Sequence, residues 1–434
     1  MNDYLKVSDN LINFIYDSPS PFHVVENIKY ILDSNDFEEL KECERWDLVK
    51  GGKYYVTKND SAIIAFSIGD KDIENSGFRI VGAHTDSPTF KIKPNPHIFS
   101  KGDYVKLNTE VYGGPILNTW MDRPLSLAGR VTVKGKNPFN PETKLINVKK
   151  PIIIIPNLAI HMNREVNKGY ELNRQKDMLP ILGMINEKLE KKDYLTNILC
   201  RELNIKKSDI LDFELFLYEF EKGCVMGMDN EFISSPKLDD LTMVHAGLKA
   251  LVETDIENSS KMLVCFDNEE VGSSTKQGAD SPLLSNVIER IVLALGKDRE
   301  DYFRTLSKSF IISCDSAHAV HPNREEKADP TNKPIINQGP VIKINANQSY
   351  TSDSYSTSVY EEICNVAKVP VQKFVNRSDE RGGSTIGPIS STHVNINSVD
   401  VGTPLLAMHS IRELGGVKDQ VYMIESLKKF YTLK

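Results

Sequence analysis

A buried mixed or parallel α/β sheet with helices around it, interrupted midway by an all-β insert, is the fold class that this 434-residue sequence predicts. Three observations carry it. Short apolar runs alternate with helically spaced ones near the start and again from residue 234 onward, the pattern of strands and helices sharing one sheet. Between those stretches, residues 94–233 break into short strands separated by turn residues, which reads as an all-β unit. No internal repeat or low-complexity tract competes with that division. The length suits two or three domains, each with its own core. The expected organisation is a discontinuous domain, 1–93 with 234–434, enclosing a β-rich insert, 94–233.

The elements follow in order. Residues 3–34 carry helical spacing broken at Ser18-Pro19-Ser20-Pro21, hence two helices split by a proline turn. Lys53–Val56 and Ala62–Ile68 read as paired strands, and Phe78–Ala83 as a strand running into His84-Thr85-Asp86. From about Lys91 to Gly227 come the short strands of the insert, with a polar, irregular arm over 163–193. Leu241, Val244, Leu248 and Leu251 then repeat at helical spacing after Asp239. Met262–Cys265 and Phe310–Cys314 are buried-strand runs with a helix over 283–295 between them; Val341–Ile344 and Val394–Val401 are further strands. Leu405–His409 leads into the final helices.

Composition narrows the class. Hydrophobic residues at 40% and charged ones at 26% are ordinary for a soluble globular protein. A net charge of -7 without a basic block argues against nucleic acid. The six cysteines are scattered with no CxxC pair, which suggests reduced thiols and an intracellular setting. The first residues lack a basic-then-apolar secretion layout, and Pro151–Pro156 is too short to cross a bilayer. A cytoplasmic protein with no membrane partner is expected.

The chemistry concentrates where strands end. Glu269 and Glu270 follow the Met262–Cys265 run. Taken alone such a pair is most often a solvated loop, but carboxylates at a buried strand end are costly unless partnered. Neighbours on an extended chain point to opposite sides, so one can grip a metal while the other handles a proton. His84 and Asp86 face one side at another strand end, where Asp86 can orient or support the site. Asp315 ends the Phe310–Cys314 strand, Asp239 opens a helix, and His409 follows a later strand. Sites in open α/β sheets gather at such ends.

Two histidines, one glutamate and two aspartates suit zinc or a related divalent ion such as cobalt or manganese. Five ligands exceed the needs of one catalytic zinc but suit two ions if a carboxylate bridges them, and Asp239 is the residue expected to bridge. A water held between two cations loses its proton readily, and Glu269 is placed to accept it.

These segments, GAHTDSP at 82–88, SPKLDD at 235–240, DNEEVG at 267–272, GSTIGP at 383–388 and LAMHSIRE at 406–413, resemble the aspartyl aminopeptidase and vacuolar aminopeptidase family of zinc enzymes. The likeness runs from near residue 15 to the C-terminus. It implies a zinc-peptidase-type α/β/α domain, two zinc ions per subunit, and release of N-terminal amino acids from peptides by a metal-bridged hydroxide with Glu269 as general base. It further implies that His84 and His409 are terminal ligands on different zincs, that Asp239 bridges, that Glu270 and Asp315 complete the pair, and that Asp86 supports them. The insert would serve assembly into a homo-oligomer, a dodecamer built from dimers. His161, in the insert, would reach a neighbouring subunit's site and polarise the substrate carbonyl; direct contact with a metal is the competing role. Gly383 and Ser384 would line the substrate site.

One position departs from the pattern. Members preferring acidic N-terminal residues carry a lysine where Asn347 stands here, and a neutral amide cannot pair with a carboxylate as an ammonium does. Neutral substrates become an option, with Arg123 or Lys343 as the groups able to compensate. His245 reads as core, and His318 and His321 as supporting or surface residues. The absence of HExxH and GxSxG sets aside single-zinc proteases and serine hydrolases. The rivals are a two-metal deacylase or carboxypeptidase and a non-catalytic, metal-braced assembly protein.

Overall fold

The computed structural model describes residues 3–100, 103–184, 193–256 and 258–433. Its centre is a nine-stranded mixed sheet. Four adjacent strands, Ser260–Phe266, Phe78–His84, Phe310–Cys314 and Asn397–Gly402, run parallel. In their register Phe266 lies beside His84 and Ser313 beside Gly82. Three of these strands therefore deliver their carboxyl ends, with the residues that follow, to one edge.

Alternation along the strands explains the layers. Val81, Ala83, Leu263, Cys265 and Ile312 face a core closed by Leu11, Val24, Leu241, Tyr360 and Met423. Their neighbours Ile80, Met262, Val264 and Ile311 face Leu283, Ile288, Tyr302 and Ile386. Both faces are apolar because helices cover both, giving an α/β/α arrangement.

Between Phe78–His84 and Ser260–Phe266 the chain builds a separate six-stranded antiparallel sheet. Its core includes Phe90, Leu107, Trp120, Leu127, Val131 and Leu215. The sheet opens at Thr89, ahead of the expected start at 94, because its first strand runs almost directly from the His84 edge. The segment is not all β. Tyr194–Leu203 is a helix that buries Tyr194, Leu195 and Leu199 against this sheet, a one-sided apolar stripe that the polar run before it obscures. Positions 185–192 of the expected arm lie outside the described residues. A three-stranded sheet joins Cys224–Met226, Phe232–Ser235 and Glu413–Gly416.

Two other expectations need correction. Val394–Val401 is not one strand: Ile386–Val394 is a helix, Asn395 turns left-handed at φ 50°, and the strand is Asn397–Gly402. After His409 the chain forms the strand Glu413–Gly416 and a single closing helix, Val417–Thr432, rather than several helices. No helix among the described residues is long and apolar enough to cross a membrane.

Candidate metal centre

Five segments bring their acidic and imidazole groups together at the sheet edge. Ligand atoms lie within 4.8 Å of one another in three sets: His84, Glu269 and Asp315; His84, Asp239 and Asp240; and Asp239, Glu270 and His409. Asp239 connects the two histidines. Its Oδ1 lies 3.9 Å from His84 Nε2, and its Oδ2 lies 3.3 Å from His409 Nε2. Glu270 Oε1 is 3.4 Å from the same His409 nitrogen.

The ring nitrogens facing away are held. His84 Nδ1 sits 3.1 Å from the Asp86 carbonyl and 3.3 Å from its Oδ1. His409 Nδ1 sits 3.2 Å from the Gly114 carbonyl. Both arrangements favour the tautomer that leaves Nε2 free for a cation. The buried Asp86 carboxylate also accepts the backbone N–H groups of Glu269 and Glu270, each at 3.1 Å, and the Tyr112 hydroxyl at 2.7 Å. It organises the whole Glu-Glu turn.

The donor set fits divalent cations. Asp86, Asp239, Asp240, Glu269, Glu270 and Asp315 share this edge with the imidazoles of His84 and His409 and the ammonium of Lys343. Asp239 Oδ1, Asp240 Oδ1 and Glu270 Oε1 are buried with no hydrogen-bond partner. Buried carboxylate oxygens left this way are costly unless a cation meets them. Titration reflects the same crowding. Burial, with the Asp315, Asp86 and Asp239 charges, pushes Glu269 up to about 8. Burial likewise raises Glu270 and Asp240. Burial opposes a charged His409, yet Asp239 and Glu270 outweigh it and bring the imidazole up to about 10.

The sequence does not single out Asp240, and it singles out Lys343 only for the substrate. Asp240 accepts the His84 backbone N–H at 3.1 Å. Lys343 is buried and donates to Asp315 Oδ1 at 2.7 Å and to the Ser316 carbonyl at 3.1 Å. Its ammonium is thus paired with Asp315. Arg123 pairs with Glu219 at 2.8 Å, and Asn347 is exposed on a turn. Gly383 lines a cavity of about 340 Å³ whose wall includes Leu405–Met408, immediately before His409. Ser384 is not among the residues lining that cavity, and Thr385 after it donates to Asp400. His161 is exposed in the turn around 159–163 and joins none of the three sets.

His245 is a core residue: its Nε2 lies 2.8 Å from Asn10 Oδ1 and its Nδ1 3.0 Å from Gln420 Nε2. His318 packs edge-on against Phe374, and His321 Nδ1 accepts the Asn323 N–H.

A sheet edge bearing paired carboxylates and two imidazoles around a shared aspartate is a donor set suited to a metal-dependent hydrolase. Residues 14–431 match the model of the Aminopeptidase I zinc metalloprotease family, M18, and the chain belongs to that family. The probable M18 family aminopeptidase 2 of Clostridium novyi is 64% identical over 433 residues, covering 100% of both chains. A cryo-EM structure of the Ape4 and Nbr1 complex matches at TM-score 0.94 and 37% identity, over 99% of this chain and 86% of that one. The S. cerevisiae mApe1 dodecamer matches at TM-score 0.86 and 27% identity, over 99% and 97%. The protein is a zinc metalloaminopeptidase, a hydrolase acting on peptide bonds. The deacylase, carboxypeptidase and purely structural readings find no better support.

Proposed function

We propose that each chain holds two zinc ions and removes single residues from peptide N-termini, with Glu269 as general base. The observation that carries this is Asp239, whose two oxygens face opposite histidines. His84 and Asp315 would hold one ion and Glu270 and His409 the other, with Asp239 between. Bound there, zinc supplies Lewis acidity toward a peptide carbonyl and lowers the pKa of a water. Glu269 lies with His84 and Asp315, its backbone N–H fixed by Asp86. From there its carboxylate takes a proton from water and returns it to the leaving amine.

The substrate's first residue would enter beside Gly383 and Ser384. With Lys343 held by Asp315 and Arg123 by Glu219, neutral first residues should be hydrolysed at least as well as acidic ones. A panel of X-p-nitroanilides separates the cases; a strong preference for Asp or Glu over Leu would overturn this substrate reading.

Residues 94–233 are read as the assembly unit of a homo-oligomer, a dodecamer like that of mApe1. Leu158, Ile160 and Met162 are exposed around His161, and apolar side chains so displayed suit burial by a neighbouring subunit. His161 would then act in that neighbour's site. Peptide substrates, no nucleic acid and a cytoplasmic setting complete the reading. Light scattering combined with His161→Ala tests it: an active monomer, or full activity in the variant, would contradict it.

A further inference from the structure

We propose that Glu413 is a positioning residue that registers the bridging ligand Asp239 with His409, the two sides of the centre arriving from distant parts of the chain. The inference rests on the two-zinc reading. Glu413 is 2% exposed. Its Oε2 accepts the Asp239 backbone N–H at 2.9 Å, and its Oε1 accepts the His409 backbone N–H at 2.7 Å. One buried carboxylate thus spans the backbones of two ligand residues, touching neither of their side chains through these bonds. Buried carboxyl oxygens without partners are costly, and here each accepts one backbone N–H.

The surroundings make the clamp stiff. Glu413 sits in the strand Glu413–Gly416, directly paired at Ser235 with the strand that leads to Asp239. His409 has φ 67°, the left-handed region that a side chain other than glycine seldom adopts. Such a conformation persists only where neighbours over-determine it. Here Glu413 holds its N–H, the Ile116 N–H holds its carbonyl at 2.9 Å, and Gly114 faces its Nδ1. Asp86 does the equivalent job at the Glu269-Glu270 turn. Glu413 is its counterpart on the opposite side of the site.

The test is Glu413→Gln, which keeps size and one carbonyl oxygen but sets an amide NH2 against the second N–H. Zinc affinity is measured by chelator competition on the full-length protein, alongside thermal melting of the metal-free form. The weaker zinc site should lose about 10- to 100-fold in affinity, the range for residues that orient a ligand, while the metal-free midpoint stays close to wild type. The fall should appear in kcat more than in KM, and Glu413→Asp, which keeps both oxygens, should recover part of both losses. Unchanged affinity at both sites in Glu413→Gln would overturn the proposal. So would a loss of affinity that only tracks lowered stability of the metal-free protein. If wild type itself takes up fewer than two zinc ions, the two-zinc reading fails; if it takes two and Glu413→Gln matches it, this inference alone fails.

Discussion

The two large sheets serve the centre with different chemistry. The nine-stranded sheet supplies charge: His84 ends one of its strands, and Glu269, Glu270 and Asp315 follow others. The six-stranded sheet and the turn after it supply uncharged groups to the same edge. The Tyr112 hydroxyl reaches Asp86, the Gly114 carbonyl faces His409, and the Ile116 N–H caps the His409 carbonyl. Gly113, at φ 72°, passes so near that an added Cβ would lie 3.1 Å from that of Glu270. Much of the charge thus comes from one sheet and part of the uncharged support from the other, and loss of either should be distinguishable.

Metal removal probes the first contribution and carries the largest effect. Chelation should abolish peptide hydrolysis, and added zinc should restore it, followed by release of p-nitroaniline. Glu269→Gln comes next. Turnover should fall by about 10²- to 10⁴-fold, the usual worth of a positioned general base, with zinc content unchanged by elemental analysis; near-normal turnover would remove Glu269 from the chemistry.

Tyr112→Phe probes the second contribution. It deletes one hydrogen bond to Asp86 and one from Asn268, so kcat should fall by about tenfold, the low end for groups that support a ligand, with both zinc ions kept. A loss as deep as that of Glu269→Gln would mean that the second sheet takes part in the reaction itself.

The smallest effect concerns stability. Burial brings His245 from the ordinary 6.5 down to about 3. Between those values the unfolded chain binds a proton that the folded one refuses, so stability rises with pH across the window and is lost as pH falls through it. His245→Gln should flatten that dependence in urea melts at pH 7 and pH 4.5, leaving zinc affinity at pH 7 alone.

Legibility divided along similar lines. Phe310–Cys314 and Val341–Ile344 are readable because each is an apolar, β-branched run with little polar interruption. The helix Ser354–Ala367 is not, since its buried face mixes Ser356 and Thr357 with Tyr360, Ile363 and Cys364. Ile386–Val394 hides behind an internal Gly387-Pro388. In the site, residues at strand ends advertise themselves by local context. The contacts of Lys343 with Asp315, Glu413 with Asp239 and Tyr112 with Asp86 do not, because each joins residues well separated in sequence. Only the fold brings Glu413 to Asp239.

The central claim is that Asp239 serves two cations at once, and zinc titration into the metal-free protein tests it most directly. Two equivalents per chain should bind to wild type, and Asp239→Ala should weaken both together and abolish peptide hydrolysis. A single equivalent in wild type, or an Asp239→Ala protein that still binds two with undiminished affinity, would contradict the account.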